Sequence, residues 1–399
     1  MAEPHRVPTD DDRATAEWLT RNVADALPAD ALTQQLARAR ESGKPLRAKL
    51  GLDPTAPDIH LGHTVVLQKL RELQDAGHHV VLLIGDMTAR VGDPSGRDTT
   101  RPVLDDAAID ANAATYQEQA FKVLDPSRVE VVRNSEWLDL SLSELFALLR
   151  TTTVAQLLER DDFAKRFASH RPITILELLY PMMQAYDSVA IKADIELGGT
   201  DQKFNLLLGR DMQKAYGQSQ QSILTMPILP GLDGERKMSK SLGNQIGVRD
   251  APDEMYGKVL SLPDTAMPEY FDLLLGEGLP ADLSPRDTKH ALAKRLVTRF
   301  HDAGAADAAA AGFERVFVDK ALPDEIPSVQ IPGGEAHLPA VLATAFGESR
   351  SSARRLLVQG AVRCDGDVVP GDPLDVPASS LDGRVLQLGK RRFARINVG

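Results

Sequence analysis

The chain has 399 residues, 43% hydrophobic and 26% charged, a formal net charge of −11 and a single cysteine, Cys364. That length suits two or three domains with their own cores, and one cysteine excludes both an intramolecular disulfide and a cysteine-based zinc site. No apolar run reaches membrane-spanning length, and the first residues, MAEPHRVPTDDDRATAEW, lack the apolar core of a secretory leader, so a cytoplasmic protein is expected.

Positions 10–42 carry alanine-rich helical spacing and end at Gly43-Lys44-Pro45, so residues 1–45 read as a helical arm. The stretch 46–63, LRAKLGLDPTAPDIHLGH, then reads as a strand through Leu46, Leu50 and Leu52, broken by Asp53-Pro54 and Ala56-Pro57. Beyond Gly62 the period changes: Val66, Leu67, Leu70 and Leu73 share one helical face, and Gly77 stands where a C-terminal cap belongs. His60 and His63 therefore fall in the first turn of a helix, where free N–H groups and the helix dipole favour an anion. On these residues alone they could equally be capping or core histidines.

Further strands are expected at 79–85 (HVVLLIG), 129–133 (VEVVR), 193–199 (ADIELGG) and 223–229, with helices at 103–124, 142–158, 174–192 and 201–216 between them. This alternation predicts an α/β fold over 46–235, a doubly wound parallel (Rossmann-like) sheet with its ligand site at the carboxyl ends of the strands. The loop GLDGERKMSKSLGN is Gly-rich, charged and without apolar periodicity, so it is expected to be mobile; helical pattern follows, and 236–320 reads as a helical domain. Prolines and glycines at 323, 327 and 332–334 mark a linker over 321–334, and 335–399 reads as a small α+β domain. That last domain holds nine Lys/Arg against seven Asp/Glu on an otherwise acidic chain, and its second helix carries Arg350, Arg354 and Arg355 on one side.

HLGH at 60–63 with KMSKS at 237–241 resembles the paired signature of class I aminoacyl-tRNA synthetases. GDPSG at 92–96, YPMMQAYD at 180–187 and GGTDQ at 198–202 narrow the resemblance to the bacterial-type tyrosyl-tRNA synthetases. It implies activation of tyrosine with ATP, with Mg²⁺ accompanying the nucleotide and no metal held by the protein itself, then transfer to the tRNA for tyrosine, in a homodimer with no membrane association. The C-terminal domain resembles an RNA-binding domain shared with a small-subunit ribosomal protein, which would put Arg350, Arg354 and Arg355 on tRNA.

Carried onto this sequence, the resemblance gives His60, His63, Lys237 and Lys240 to phosphate handling and Asp53, Thr55, Gly62, Gly199, Asp201, Met238, Ser239 and Ser241 to ATP. It gives Lys49, Gly51, Asp93, Tyr180, Gln184, Asp187 and Gln202 to tyrosine. Tyr180, Gln184 and Asp187 lie at i, i+4 and i+7, so one helix face aims all three at one ligand. A carboxylate aimed at the phenol hydroxyl is left unpaired by phenylalanine; tyrosyl-tRNA synthetases are themselves the known example, at roughly 10⁵-fold without editing. Two positions depart from the familiar pattern. Lys49 stands where many relatives have a second tyrosine, and Glu196 where glutamine is frequent; Lys49 would either pair with Asp187 or point away into solvent. A tryptophanyl-type synthetase shares the two signatures but not the reason for an aspartate in QAYD. A small-molecule nucleotidyltransferase would not need the basic tail, and a non-catalytic RNA-binding relative would not need both signatures.

Overall fold

Apolar runs build a six-stranded sheet in the computed structural model, which describes residues 7–55, 57–94, 105–317, 326–389 and 392–399, except the side chains of Ser241, Val316 and Phe317. The strands are β1 (Asp25–Leu27), β2 (Arg47–Leu52), β3 (His79–Ile84), β4 (Val129–Arg133), β5 (Ile195–Gly199) and β6 (Ser222–Met226). Val80, Val81, Leu82, Leu83 and Ile84 are all buried, as a strand covered on both faces requires. The order is β1-β6-β5-β2-β3-β4, parallel throughout except for β1, which runs antiparallel to β6. From β2 the chain builds outward through β3 and β4, then crosses to add β5 and β6 on the other side. The topological switch point therefore lies between β2 and β5, and the ends of those two strands are where a ligand crevice is expected.

Contacts divide the chain into two compact units, Met1–Asp307 and Ala308–Gly399. The boundaries expected at 45/46 and 235/236 fall inside the first. The N-terminal arm is stitched in by Lys69 Nζ donating to the Arg21 carbonyl at 2.7 Å and by Asn22 Nδ2 donating to the Asp272 carbonyl at 3.2 Å. The arm is two helices, Asp10–Thr20 and Ala31–Ser42, rather than one, because β1 intervenes: Ala24 N reaches the Thr225 carbonyl at 2.8 Å and opens a strand too short to show a period. The helix expected at 142–158 also splits, into Leu142–Leu149 and Val154–Leu157. Three consecutive threonines break it, and Thr153 Oγ1 caps the second piece by accepting from Gln156 N at 3.2 Å.

Past the sheet, helices Pro252–Leu260, Met267–Tyr270, Pro285–Phe300 and Ala303–Phe317 carry the expected helical pattern. In the second unit a sheet of order β10-β9-β12-β13-β7 joins β7 (Ser328–Ile331), β9 (Val362–Cys364), β10 (Asp367–Val368), β12 (Val385–Leu388) and β13 (Arg392–Val398). A separate pair comprises β8 (Glu335–His337) and β11 (Asp375–Pro377). Helices Leu338–Phe346 and Arg350–Val358 close a core of Leu342, Ala353, Leu357, Leu386, Ala394 and Ile396. β7 corrects the linker reading: residues 328–331 pair in parallel with β13, a four-residue strand hidden by the prolines and glycines around it, while 321–325 lie outside the described residues. Among the described residues no helix is long and apolar enough to cross a membrane.

Candidate active site

Where β2 ends, Asp53 turns the chain away from the sheet and Thr55 N closes a tight turn on the Asp53 carbonyl at 2.7 Å. The helix Asp106–Ala120 supports this loop from outside: Asn112 Nδ2 donates to the Pro54 carbonyl at 3.0 Å, and Gln119 Oε1 accepts from Ile59 N at 2.7 Å. The helix Leu61–Asp75 then starts with His60 as its N-cap, and the backbone N–H of His60 donates to His63 Nδ1 at 3.3 Å. The two imidazoles lie 4.0 Å apart, centroid to centroid. Burial, then His63 and the lysines at 240 and 237, push the His60 pKa down to about 2; burial and Lys240 push that of His63 down to about 4. Both rings are neutral at pH 7, and His60 Nδ1 is buried without a hydrogen-bond partner among the described residues. Gly62 is needed for closeness, since a β-carbon there would sit 3.0 Å from the His60 ring and 3.6 Å from Met238 Cβ.

That last contact joins the two signatures. Leu61 N donates to the Ile246 carbonyl at 2.9 Å, Val248 N to the Ile59 carbonyl at 3.0 Å, and His60 forms a bridge with Gly247. The KMSKS stretch therefore lies against the helix start. Nor is its base the free chain its composition suggests: Met238 is buried with its N–H on the Leu229 carbonyl at 3.0 Å, and Asn244 Oδ1 accepts from Ser239 N at 2.8 Å. Asn244 Nδ2 also reaches Asp233 Oδ2 at 3.0 Å and the Lys237 carbonyl at 3.2 Å. The lysine side chains extend from this base, Lys237 Nζ to Asp201 Oδ2 at 3.2 Å and Lys240 Nζ to Asp58 Oδ2 at 3.3 Å. Asp201 follows the end of β5, and a β-carbon on Gly199 would come within 2.7 Å of its carboxylate. The Ser241 side chain lies outside the described residues, as do Ser95 and Gly96 of the GDPSG motif.

On the other side of the β2 end stands the helix Ile175–Ile191, capped by Thr174, whose Oγ1 accepts from Glu177 N at 3.2 Å. Tyr180 donates its hydroxyl to Asp53 Oδ2 at 2.8 Å, linking this helix to the first loop. Gln184 Oε1 and Gln202 Oε1 both accept from Asn205 Nδ2, at 2.8 and 3.0 Å, and Gln202 Nε2 donates to Asp93 Oδ2 at 3.0 Å. Buried Arg160 backs the group, with Nη1 on Asn205 Oδ1 at 2.8 Å and Nη2 at 3.9 Å from Asp93. Gly51, near the end of β2, would place a β-carbon 3.5 Å from Leu83, in ordinary contact. Asp187 is 2% exposed and accepts from Trp137 Nε1 at 2.8 Å and Asn134 Nδ2 at 3.3 Å. Those two bonds use about half of the lone-pair sites of a carboxylate, leaving room for one more donor. Burial pushes its pKa up to about 7, against the opposing pull of Lys49 and the two hydrogen bonds.

Lys49 corrects the sequence reading. Its ammonium pairs not with Asp187 but with Glu196, Nζ to Oε1 at 2.9 Å, because the β2–β5 register sets the two residues directly opposite. The two departures from the familiar pattern are thus each other's partner. Asn134, Trp137 and Arg160 carry no motif, and the tertiary fold brings them to the site, whereas Ser188 and Asn205 follow Asp187 and Gln202 by one and three residues. Arg350, Arg354 and Arg355 are exposed on a helix of the second unit. Among the described residues no group of three or more His, Cys, Asp or Glu side chains is placed to hold a metal ion.

A switch point between parallel strands, with neutral histidines at a helix start and lysines on an adjoining loop, is the equipment of an enzyme that activates carboxylates with ATP. The profile of the tRNA synthetases class I (W and Y) matches residues 41–318, and the chain belongs to that family. Within it the chain stands with the tyrosine–tRNA ligases. It is 52% identical to that of Moorella thermoacetica over 392 residues, 95% of this chain and 94% of the relative. It is 49% identical to that of Bordetella pertussis over 411 aligned positions covering 100% of both. A tyrosyl-tRNA synthetase from Archaeoglobus fulgidus, solved in complex with L-tyrosine, superposes with a TM-score of 0.61 at 27% identity, covering 75% of this chain and 99% of that one.

Proposed function

We propose that the chain activates L-tyrosine with ATP, forming tyrosyl-adenylate and pyrophosphate, and then passes the tyrosyl group to the 3′ end of its tRNA. The observation that carries this reading is the approach of the two signatures, Gly62 beside Met238, reinforced by Leu61 N–H on the Ile246 carbonyl just past the second of them. The substrate carboxylate attacks the α-phosphate directly, so no side chain is required as a covalent nucleophile. The work left to the protein is positioning and charge stabilisation. Neutral His60 and His63 donate N–H groups to phosphate oxygens, and Thr55, Ser239 and Ser241 add hydroxyls along the nucleotide. Lys237 and Lys240 leave Asp201 and Asp58 for the departing pyrophosphate, which frees Asp201 for the ribose. Mg²⁺ arrives with the nucleotide phosphates as part of the substrate.

At the other end Asp187 accepts the phenol hydroxyl, while Asp93, Gln184, Tyr180 and Gln202 hold the α-amino side. The arginines at 350, 354 and 355 meet tRNA phosphates. A homodimer is supported by an exposed apolar set, Leu142, Phe146, Val154, Phe167, Ile175 and Leu176, of the kind a second copy covers. The cytoplasm is the compartment that fits this work.

The test is ATP–pyrophosphate exchange by the purified chain against each of the twenty amino acids. Exchange with tyrosine alone is expected. A tryptophan-only signal would move the chain to the other branch of the family, and no exchange would make it a non-catalytic relative.

A further inference from the structure

The Lys49–Glu196 pair lies across the β2–β5 register, and both side chains are at most 2% exposed. Burying two charges costs desolvation that their mutual attraction only partly returns, and apolar residues of similar volume commonly do as well or better for stability. A reason other than stability is therefore sought in what the pair touches. Lys49 Nζ donates to Ser188 Oγ at 2.8 Å and approaches the Gln184 carbonyl at 3.4 Å, so it grips the Ile175–Ile191 helix at two points that bracket Asp187. Ser188 passes the contact on, donating to Glu196 Oε2 at 3.0 Å, and Gln221 Nε2 donates to the same oxygen. The remaining valence of the ammonium is thus spent on the very turn whose neighbouring faces carry Gln184 and Asp187. Its charge also favours the ionised, accepting form of Asp187, while that of Glu196 opposes it.

Resting on the activity proposed above, we infer that the buried Lys49–Glu196 pair is a positioning and selectivity element: it fixes the helical turn bearing Gln184 and Asp187 and thereby sets the preference for tyrosine over phenylalanine. Neither residue touches the substrate in this scheme. Both act through Ser188 and the backbone of that turn. The consequence is that the pair matters at the amino-acid end only.

The experiment compares the full-length protein with the double variant Lys49→Met/Glu196→Gln, which keeps the volumes and removes both charges together. Thermal melting establishes that the variant folds, and pyrophosphate exchange then gives KM and kcat for tyrosine, for phenylalanine and for ATP. The expected split is KM for tyrosine up about tenfold and the tyrosine-over-phenylalanine ratio of kcat/KM down about tenfold, with KM for ATP within about twofold. A folded double variant that keeps its tyrosine KM and selectivity within about twofold overturns the inference, because a merely structural pair would be replaced by a neutral one without that split. If the double variant does not fold, Ser188→Ala decides: it removes the bridging hydroxyl alone, and a rise of about threefold in tyrosine KM with ATP KM unchanged supports the inference, whereas no rise overturns it. Parallel assay of the unsubstituted chain separates the two readings, since a chain that fails to activate tyrosine at all refutes the activity itself and the inference with it.

Discussion

In the KMSKS stretch, Lys237 and Lys240 reach Asp201 and Asp58 over 3.2 and 3.3 Å with side chains about one-third to one-half exposed. Between β2 and β5, beside Asp187, Lys49 and Glu196 meet over 2.9 Å with both side chains at most 2% exposed. Half-solvated pairs of the first kind contribute about 0–1 kcal/mol, so phosphate oxygens can take over the lysines at little cost. A sealed pair of the second kind cannot exchange partners without leaving a bare charge in the interior. The difference fits the roles proposed for the two places, phosphate and phenol. Charge builds and leaves on the phosphates during each turnover, whereas the phenol has only to be recognised.

Three measurements press on that contrast. The largest effect is expected at the sealed end: Asp187→Ala strands the Trp137 and Asn134 donors and removes the phenol acceptor. Loss of a charged partner in such a buried set costs about 3–5 kcal/mol, so kcat/KM for tyrosine should fall by roughly 10³-fold and the preference over phenylalanine should collapse. A fall of less than about tenfold would show that the phenol is read elsewhere.

At the exchangeable end, Lys240→Ala should lower kcat for adenylate formation by about 10²-fold with melting temperature nearly unchanged, as removal of one transition-state donor does. An unchanged kcat together with a lost melting temperature would instead make Lys240 a structural partner of Asp58.

The smallest effect is in pH. With the Asp187 pKa raised to about 7, kcat/KM for tyrosine should fall by up to about tenfold per pH unit below 7 as the carboxyl takes a proton. The groups acting on it are Lys49 from β2, Glu196 from β5 and the neutral donors Trp137 and Asn134. Asp187→Asn should abolish that limb, and a limb that persists would belong to another group. Because this folded pKa lies above the unfolded value, Asp187 alone makes stability decline as pH rises from about 3.8 to about 7. His60 and His63 work in the opposite sense. Their folded pKa values lie below 6.5, so stability is lost through them as pH falls beneath that value.

What could be read from the amino acids was what lies close together along the chain. HLGH, KMSKS and the Tyr180, Gln184, Asp187 stripe are each contiguous or helically spaced, and β3 is apolar along its length, so a short window contains the signal. The partner of Lys49 did not lie within any window. Position 196 is brought alongside it only because the sheet inserts β5 next to β2, and that order is a property of the whole topology. The same holds for Trp137, Asn134 and Arg160, ordinary residues in unremarkable stretches whose value comes from where the tertiary fold leaves them. β1 and β7 escape a reading by period for a simpler reason: three or four residues are too few to show an alternation.

Strand β2 is a ruler for the residues around its end. Its odd positions put the Lys49 charge at one end, an absent side chain at Gly51 in the middle, and the Asp53 carboxylate just past the other end, a span of roughly 13 Å at the usual rise of a strand. One extra residue inserted at 50–52 would do more than lengthen this ruler, since alternate side chains would change faces, turning either the lysine or the aspartate to the wrong side of the sheet. The spacing of the buried pair from the first loop is thus written into the register of a single six-residue strand.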